Sequence, residues 1–139
     1  MDATIIDIIK SCKNAHIGTV SPDGYPDVRI MKNLHFGNLD SLDALYFFSD
    51  RRHSKIPAIA QNHRACVYYF NSDTRYAIRL YGALAVDDTI DRRLFWNDGF
   101  DRFGFSGPDD ANFAILKFIP ERYKYYQGPE ETLQTGTIN

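Results

Sequence analysis

The densest run of chemistry-bearing side chains is Arg51-Arg52-His53-Ser54-Lys55, which stands between a strand-like run and a short helical pattern near Ile56 to Gln61. A helix start exposes unpaired backbone N–H groups and the positive end of the helix dipole, so acidic side chains are what normally stabilise it. Three full positive charges at that point suggest that a bound anion supplies the missing negative charge. Ser54 would add a hydroxyl donor, and Arg29 would reach the same point from a neighbouring strand. A solvated basic loop would have the same composition.

The other constellations carry less. Neither G-x-x-x-x-G-K-S/T nor G-x-G-x-x-G occurs, so the anion site is not a familiar nucleotide fingerprint. His16, His35, His53 and His63 lack zinc-ligand spacing, and no metal site is expected. The adjacent acids Asp87-Asp88, Asp109-Asp110 and Glu130-Glu131 fall at strand ends, turns or the tail, whereas acid/base catalysis needs carboxylates that converge with separated pKa values. With no G-x-S-x-G elbow and no Cys/His pair at a known spacing, no side chain is assigned a catalytic role. Such a chain can take its chemistry from a cofactor.

The elements that must position these residues read mainly as strands. Ile5, Ile8, Ile9 and Cys12 make one face of an opening helix over 4–13, with Thr4 or Asp2 as candidate caps. A hairpin follows, from Ala15–Val20 through the turn Ser21-Pro22-Asp23-Gly24 to Pro26–Met31. Leu45–Ser49 reads as a third, buried strand, and Pro57 suits the first turn of the next helix. Two further strands, Cys66–Asn71 and Ala77–Val86, flank a polar turn, and Gly82 inside the second suggests a bulge or a close approach. Asp88-Thr89 is read as capping a helix to about Trp96. After a loop to Asp110, Phe113–Ile119 and Tyr123–Tyr126 complete the β-structure around Pro120. Residues 129–139 are expected to form a loosely ordered tail.

Composition agrees with one domain of 139 residues. Ten Phe, nine Tyr and one Trp suit sheet surfaces, interfaces and flat ligand pockets. A formal net charge of −2 argues against a nucleic-acid partner, whose phosphates need a broad basic surface. There is no apolar run of membrane-spanning length and no basic leader, and Cys12 and Cys66 are far apart, so a cytoplasmic protein with reduced thiols is expected.

Several blocks, taken in order, carry a family resemblance. They are Arg29-Ile30-Met31, Leu45 through Lys55, Asn62-His63-Arg64-Ala65-Cys66-Val67, Tyr81 to Val86, Leu94-Phe95-Trp96, and Ala114 to Pro120 with Tyr125-Tyr126. Over about residues 5 to 127 the chain resembles the pyridoxamine-phosphate-oxidase-like flavoproteins, in particular their general-stress-protein branch. The resemblance implies a split β-barrel of six to seven strands, Greek-key-like, with a few short peripheral helices and FMN at a homodimer interface.

By the same likeness Arg29, Ser54 and Lys55 hold the FMN phosphate, while Ile30, Met31 and Lys32 run beside the isoalloxazine. Phe48 and Ser49 line the phosphate side, and Tyr76 or Ala77 comes from the second subunit. Trp96 and Phe105 are candidates for covering the flavin, with a place in the core as the alternative.

The likeness also has departures. True oxidases carry an Arg-x-Val-Leu-Leu-Lys run whose last Lys meets the substrate phosphate, whereas this chain has Arg29-Ile30-Met31-Lys32-Asn33-Leu34. Nothing after Gly128 matches their substrate-gripping Arg, His and Trp. The expected activity is therefore that of an FMN-dependent oxidoreductase other than pyridoxamine-phosphate oxidase, with NAD(P)H as a candidate electron donor. The alternatives are a non-catalytic flavin-binding stress module and a split-barrel protein that binds haem or a deazaflavin.

Overall fold

The computed structural model describes residues 1–128 and 132–138 of the chain. Helix α1 (Asp2–Ser11) turns Ile5, Ile8 and Ile9 inward at i, i+3 and i+4 spacing. It starts from Met1 with no side-chain cap, so neither Asp2 nor Thr4 serves as one. The hairpin forms as β1 (Asn14–Val20) and β2 (Pro26–Lys32). Its turn needs Gly24, whose φ of 87° lies in the left-handed region.

Strand β3 (Leu45–Asp50) is followed by the short helix α2 (Lys55–Gln61), then by β4 (Arg64–Phe70), β5 (Ala77–Val86), β6 (Phe113–Gln127) and β7 (Thr132–Thr137). β3 is not buried on both faces as its apolar run suggested: Leu45, Phe47 and Ser49 point into the core, and Tyr46, Phe48 and Asp50 point the other way.

All seven strands pair antiparallel in the order β2-β1-β4-β5-β6-β3, with β7 beside β6. The long strand β6 organises this sheet. Its first half pairs with β3, its second half with β7, and its other edge runs along β5. No ladder joins β2 to β3, which leaves the barrel split.

Where β5 meets β6 the register shifts between Tyr81 and Gly82, opposite Pro120. Proline offers no N–H to the ladder, and a Cβ on residue 82 would run into the Ile119 carbonyl, so glycine is required there.

Two readings are corrected. The helix expected over 88–96 is replaced by two 3-10 turns, Arg92–Phe95 and Asp98–Phe103. Asp91 accepts from the Arg93 N–H and Asn97 from the Gly99 N–H, so two side-chain caps six residues apart start two short turns instead of one helix. The tail expected over 129–139 gives way to strand β7 at Thr132–Thr137, supported by pairing from Arg122 to Gln127; residues 129–131 and 139 lie outside the described residues.

The main core joins α1 to the inward side of the sheet, including Ile17, Phe47, Tyr69, Leu80 and Phe118. A second cluster, Phe100, Phe105, Phe113 and Ile115, lies under the 3-10 turns and takes in Phe48 and Trp96. The opposite side of the sheet is open, with Val28 71% and Ile30 62% exposed. Among the described residues no helix is long and apolar enough to cross a membrane.

Candidate functional site

The strand period of two decides which β2 residues can share a site. Arg29 and Met31 face inward, while Val28, Ile30 and Lys32 face outward. Arg29 is held there by a hydrogen bond of 2.9 Å from its guanidinium to the buried Thr19 hydroxyl on β1. From the other side α2 begins at Lys55, whose side chain is only 8% exposed and whose ammonium lies 3.7 Å from the Met31 sulfur.

Burial, and then the positive charge of Arg29, brings the Lys55 pKa down to about 8. His53 is pushed down by burial and by the charges of Lys55 and Arg29. Its Nδ1 accepts the Lys55 N–H at 3.1 Å.

The loop's other cations are already engaged. Arg51 pairs with Asp88 at 2.7 Å, and Arg52 grips Asp50 with two bonds of 3.0 and 2.8 Å. Those bonds hold the Asp50 carboxyl well below its ordinary range, at about 2, so that acid is already paired, and its charge offsets the Lys55 shift only in part. Among the described residues neither Arg29 nor Lys55 has a carboxylate partner.

Two cations brought together by β2 and α2, one of them buried, form a basic cage with no ion-pair partner among the described residues. A phosphate ester fits this donor set: a forked guanidinium, a point ammonium, and the exposed Ser54 hydroxyl, which makes no capping bond to its own helix. Because α2 has only seven residues, the cage rests on these side chains rather than on a helix dipole.

Arg29, Met31 and Lys55 thus come together, with Ser54 beside them in sequence. Ser49 is buried on the inner side of β3, and its hydroxyl donates to the Asp50 carbonyl at 3.3 Å. The Phe48 ring turns to the opposite face and stacks on Phe100 at 4.5 Å. Ile30 and Lys32 lie on the open face of β2.

Tyr76 packs edge-on against Tyr125 and accepts a hydrogen bond from Gln127. Trp96 stands edge-on to Phe113 at 5.1 Å and donates to Asp98; Phe105 is buried in the same cluster. Within one chain neither aromatic meets the cage. Thr19 was missed by sequence reasoning, although its inward place after Ala15 and Ile17 in β1 marks it as a buried hydroxyl in need of a partner.

An open antiparallel barrel, with Arg29 and Lys55 brought together between β2 and α2, defines the class as a split-barrel protein. The family model described as pyridoxamine 5'-phosphate oxidase like matches residues 2–138, and the chain belongs to that family.

Among solved structures, a Clostridium acetobutylicum protein related to general stress protein 26 is 22% identical and has a TM-score of 0.81, covering 99% of this chain and 97% of that one. A pyridoxamine 5'-phosphate oxidase-related, FMN binding protein of Nostoc punctiforme is 21% identical, with a TM-score of 0.64 and coverage of 93% and 89%. A heme binding protein of Mycobacterium smegmatis is 12% identical, with a TM-score of 0.72, covering 95% of this chain and 55% of that one. At these identities the likeness is one of fold. No curated protein matches the chain.

Proposed function

We propose that this protein binds FMN, with the phosphate in the Arg29–Lys55 cage, and serves as an FMN-dependent oxidoreductase other than pyridoxamine-phosphate oxidase. The carrying observation is the buried Lys55 ammonium, which faces Arg29 and has no carboxylate partner among the described residues. A dianionic phosphate would relieve both the burial penalty and the repulsion between the two cations. The family membership and the FMN-binding neighbour favour a flavin mononucleotide as the carrier of that phosphate.

In this reading Arg29 clamps two phosphate oxygens, Lys55 supplies charge from below and Ser54 donates a hydroxyl. Ile30 to Lys32 run along the ring. When bound, the flavin would supply hydride or electron transfer, and NAD(P)H is the reductant to test first.

A homodimer completes the reading. The open face beside the cage strand exposes Val28 and Ile30 next to His16 and Tyr68, a surface that suits burial against a second copy. Residues missing from the cage in one chain, among them Tyr76, would then come from the partner. The two free thiols suit a reducing, cytoplasmic setting.

The test is an FMN titration of the purified apo-protein, followed by flavin fluorescence with molecular mass measured by light scattering. Saturable micromolar or tighter binding to a dimer supports the proposal, and absence of binding rejects it. Because a haem-binding neighbour shares the fold, the absorption spectrum of protein as purified is the companion measurement: a Soret band would favour haem over flavin.

A further inference from the structure

Lys55 is an amine as well as a cation, and its surroundings decide which of the two it can be. A lysine held by a carboxylate keeps its proton and has no lone pair to offer. Among the described residues Lys55 has no such partner: its nitrogen lies 3.7 Å from the Met31 sulfur, and its side chain is buried. Desolvation beside a second cation is the setting in which a lysine becomes a nucleophile. At a pKa of about 8, roughly a tenth of the amine is unprotonated at pH 7, against about one part in three thousand at the ordinary value of 10.5.

The groups around this amine can seat a phosphate without using it. Arg29 comes from β2 with its guanidinium fixed on the Thr19 hydroxyl at 2.9 Å through one nitrogen, and the rest of the fork is available to phosphate oxygens. Ser54 is exposed, and its hydroxyl makes no capping bond. In an acyl phosphate a single bridging oxygen separates the phosphorus from the carbonyl carbon. A phosphate held by Arg29 and Ser54 therefore brings that carbon to an amine lining the same cage. Lys13 and Lys32 are exposed, and Lys32 lies on the opposite face of β2 from Arg29.

We propose that Lys55 is a site of acylation by small acyl phosphates, the phosphate docking on Arg29 and Ser54 and the acyl group passing to the Lys55 nitrogen. The unprotonated amine adds to the carbonyl carbon, and the bond from that carbon to the bridging oxygen breaks. Inorganic phosphate leaves with the electron pair and takes up the surplus proton of the nitrogen. The product is a neutral amide, with nothing oxidised or reduced. The cage then holds one cation in place of two, so the modification switches off binding of a phosphate ester. The inference rests on the cage as a phosphate site, which the flavin reading shares, and not on the flavin itself.

The probes are acetyl phosphate and N-acetoxysuccinimide, an uncharged donor of the same acyl group. Each is added to apo-protein, and acetylation at every lysine is followed by peptide mass spectrometry. Both donors need the same free amine, so the ratio of their rates at Lys55 reports docking of the phosphate rather than basicity of the amine. With Lys13 and Lys32 as standards in the same sample, Lys55 should favour acetyl phosphate over the neutral ester at least about fivefold. Arg29→Ala should remove that preference. Inorganic phosphate should slow the acetyl phosphate reaction at Lys55 in the wild type, a check that needs no variant. No donor preference at Lys55, a preference that survives in an Arg29→Ala chain folded by circular dichroism, or a rate indifferent to inorganic phosphate would overturn the proposal.

FMN titration of the same preparations separates this idea from the flavin reading. Selective, phosphate-blocked acetylation of a protein that does not bind FMN would reject the flavin reading and leave the Lys55 assignment standing. FMN binding to a protein whose Lys55 shows no donor preference would do the reverse. Where both hold, FMN should protect Lys55, and the chain acetylated there should bind FMN at least about tenfold more weakly; unchanged affinity would overturn the switch.

Discussion

The ammonium group of Lys55 lies 3.7 Å from the thioether sulfur of Met31, a weak acceptor, while burial and the charge of Arg29 act against it and Asp50 offsets them only in part. A cation so placed is poorly compensated among the described residues.

Lys55→Met should leave stability unchanged or raise it by about 1 kcal/mol, because an apolar side chain of similar length removes a buried charge without opening a cavity. FMN affinity should fall at least about tenfold through loss of a charge-assisted bond. Denaturant unfolding and flavin titration of the same preparation check both halves; a variant that is destabilised yet binds FMN normally would contradict them.

FMN affinity should weaken as pH rises through about 8, the value to which burial and Arg29 bring Lys55 in the apo-protein. The sign follows from the proton count: an anion binds the protonated lysine, so deprotonation removes an attraction. Stability runs the other way. The unfolded chain holds that proton up to about 10.5, so the Lys55 contribution to stability improves between about 8 and 10.5. Lys55→Arg, charged throughout, should flatten the affinity profile, and titrations across this range would show it.

His35 is buried and neutral, its pKa lowered by burial against a weaker opposing interaction with the Asn38 backbone. Protonation would remove the Nε2 acceptor used by the Tyr46 N–H. A lowered folded pKa means that the unfolded state binds the proton first. The stability contributed by neutral His35 is therefore present above about 6.5 and lost as pH falls below it. Thermal unfolding should show a lower Tm at acidic pH, with that dependence reduced in His35→Gln.

Gly82→Ala should cost about 3 kcal/mol or abolish folding, since the added methyl meets the Ile119 backbone at the β5–β6 bulge and backbone cannot swing aside. Expression yield and the denaturant midpoint would reveal it; wild-type stability would mean that the bulge relaxes more easily than its geometry indicates.

Ile30→Glu places a charge on the open sheet face beside Tyr68 and His16 without touching the core. Light scattering should show the mass falling to that of one chain, with the circular dichroism of the wild type retained.

Much of this protein could be read from residue order alone, because its signals are local. The α1 stripe of Ile5, Ile8 and Ile9, the Gly24 turn and the Gly82 bulge each follow from period, φ or steric demand within a short stretch. The excess of cations before α2 likewise raises the expectation of an anion there. Composition could not say which of those cations are available. Arg51 and Arg52 are engaged by Asp88 and Asp50, and Lys55 is left facing Arg29, a residue from a strand two elements earlier.

An open cleft between the segment joining β2 to β3 and the two 3-10 turns is another product of folding, since it gathers Lys13, Lys32, Tyr46 and Trp96 from four separate segments. The faces of β2 and β3 were settled the same way, when pairing and the covering layers sent Arg29 inward and Phe48 to the second aromatic cluster. Turns and periodicity depend on neighbours along the chain and are written locally, whereas the pairing of charges and the enclosure of a cavity depend on distances that exist only after strands far apart in sequence have aligned.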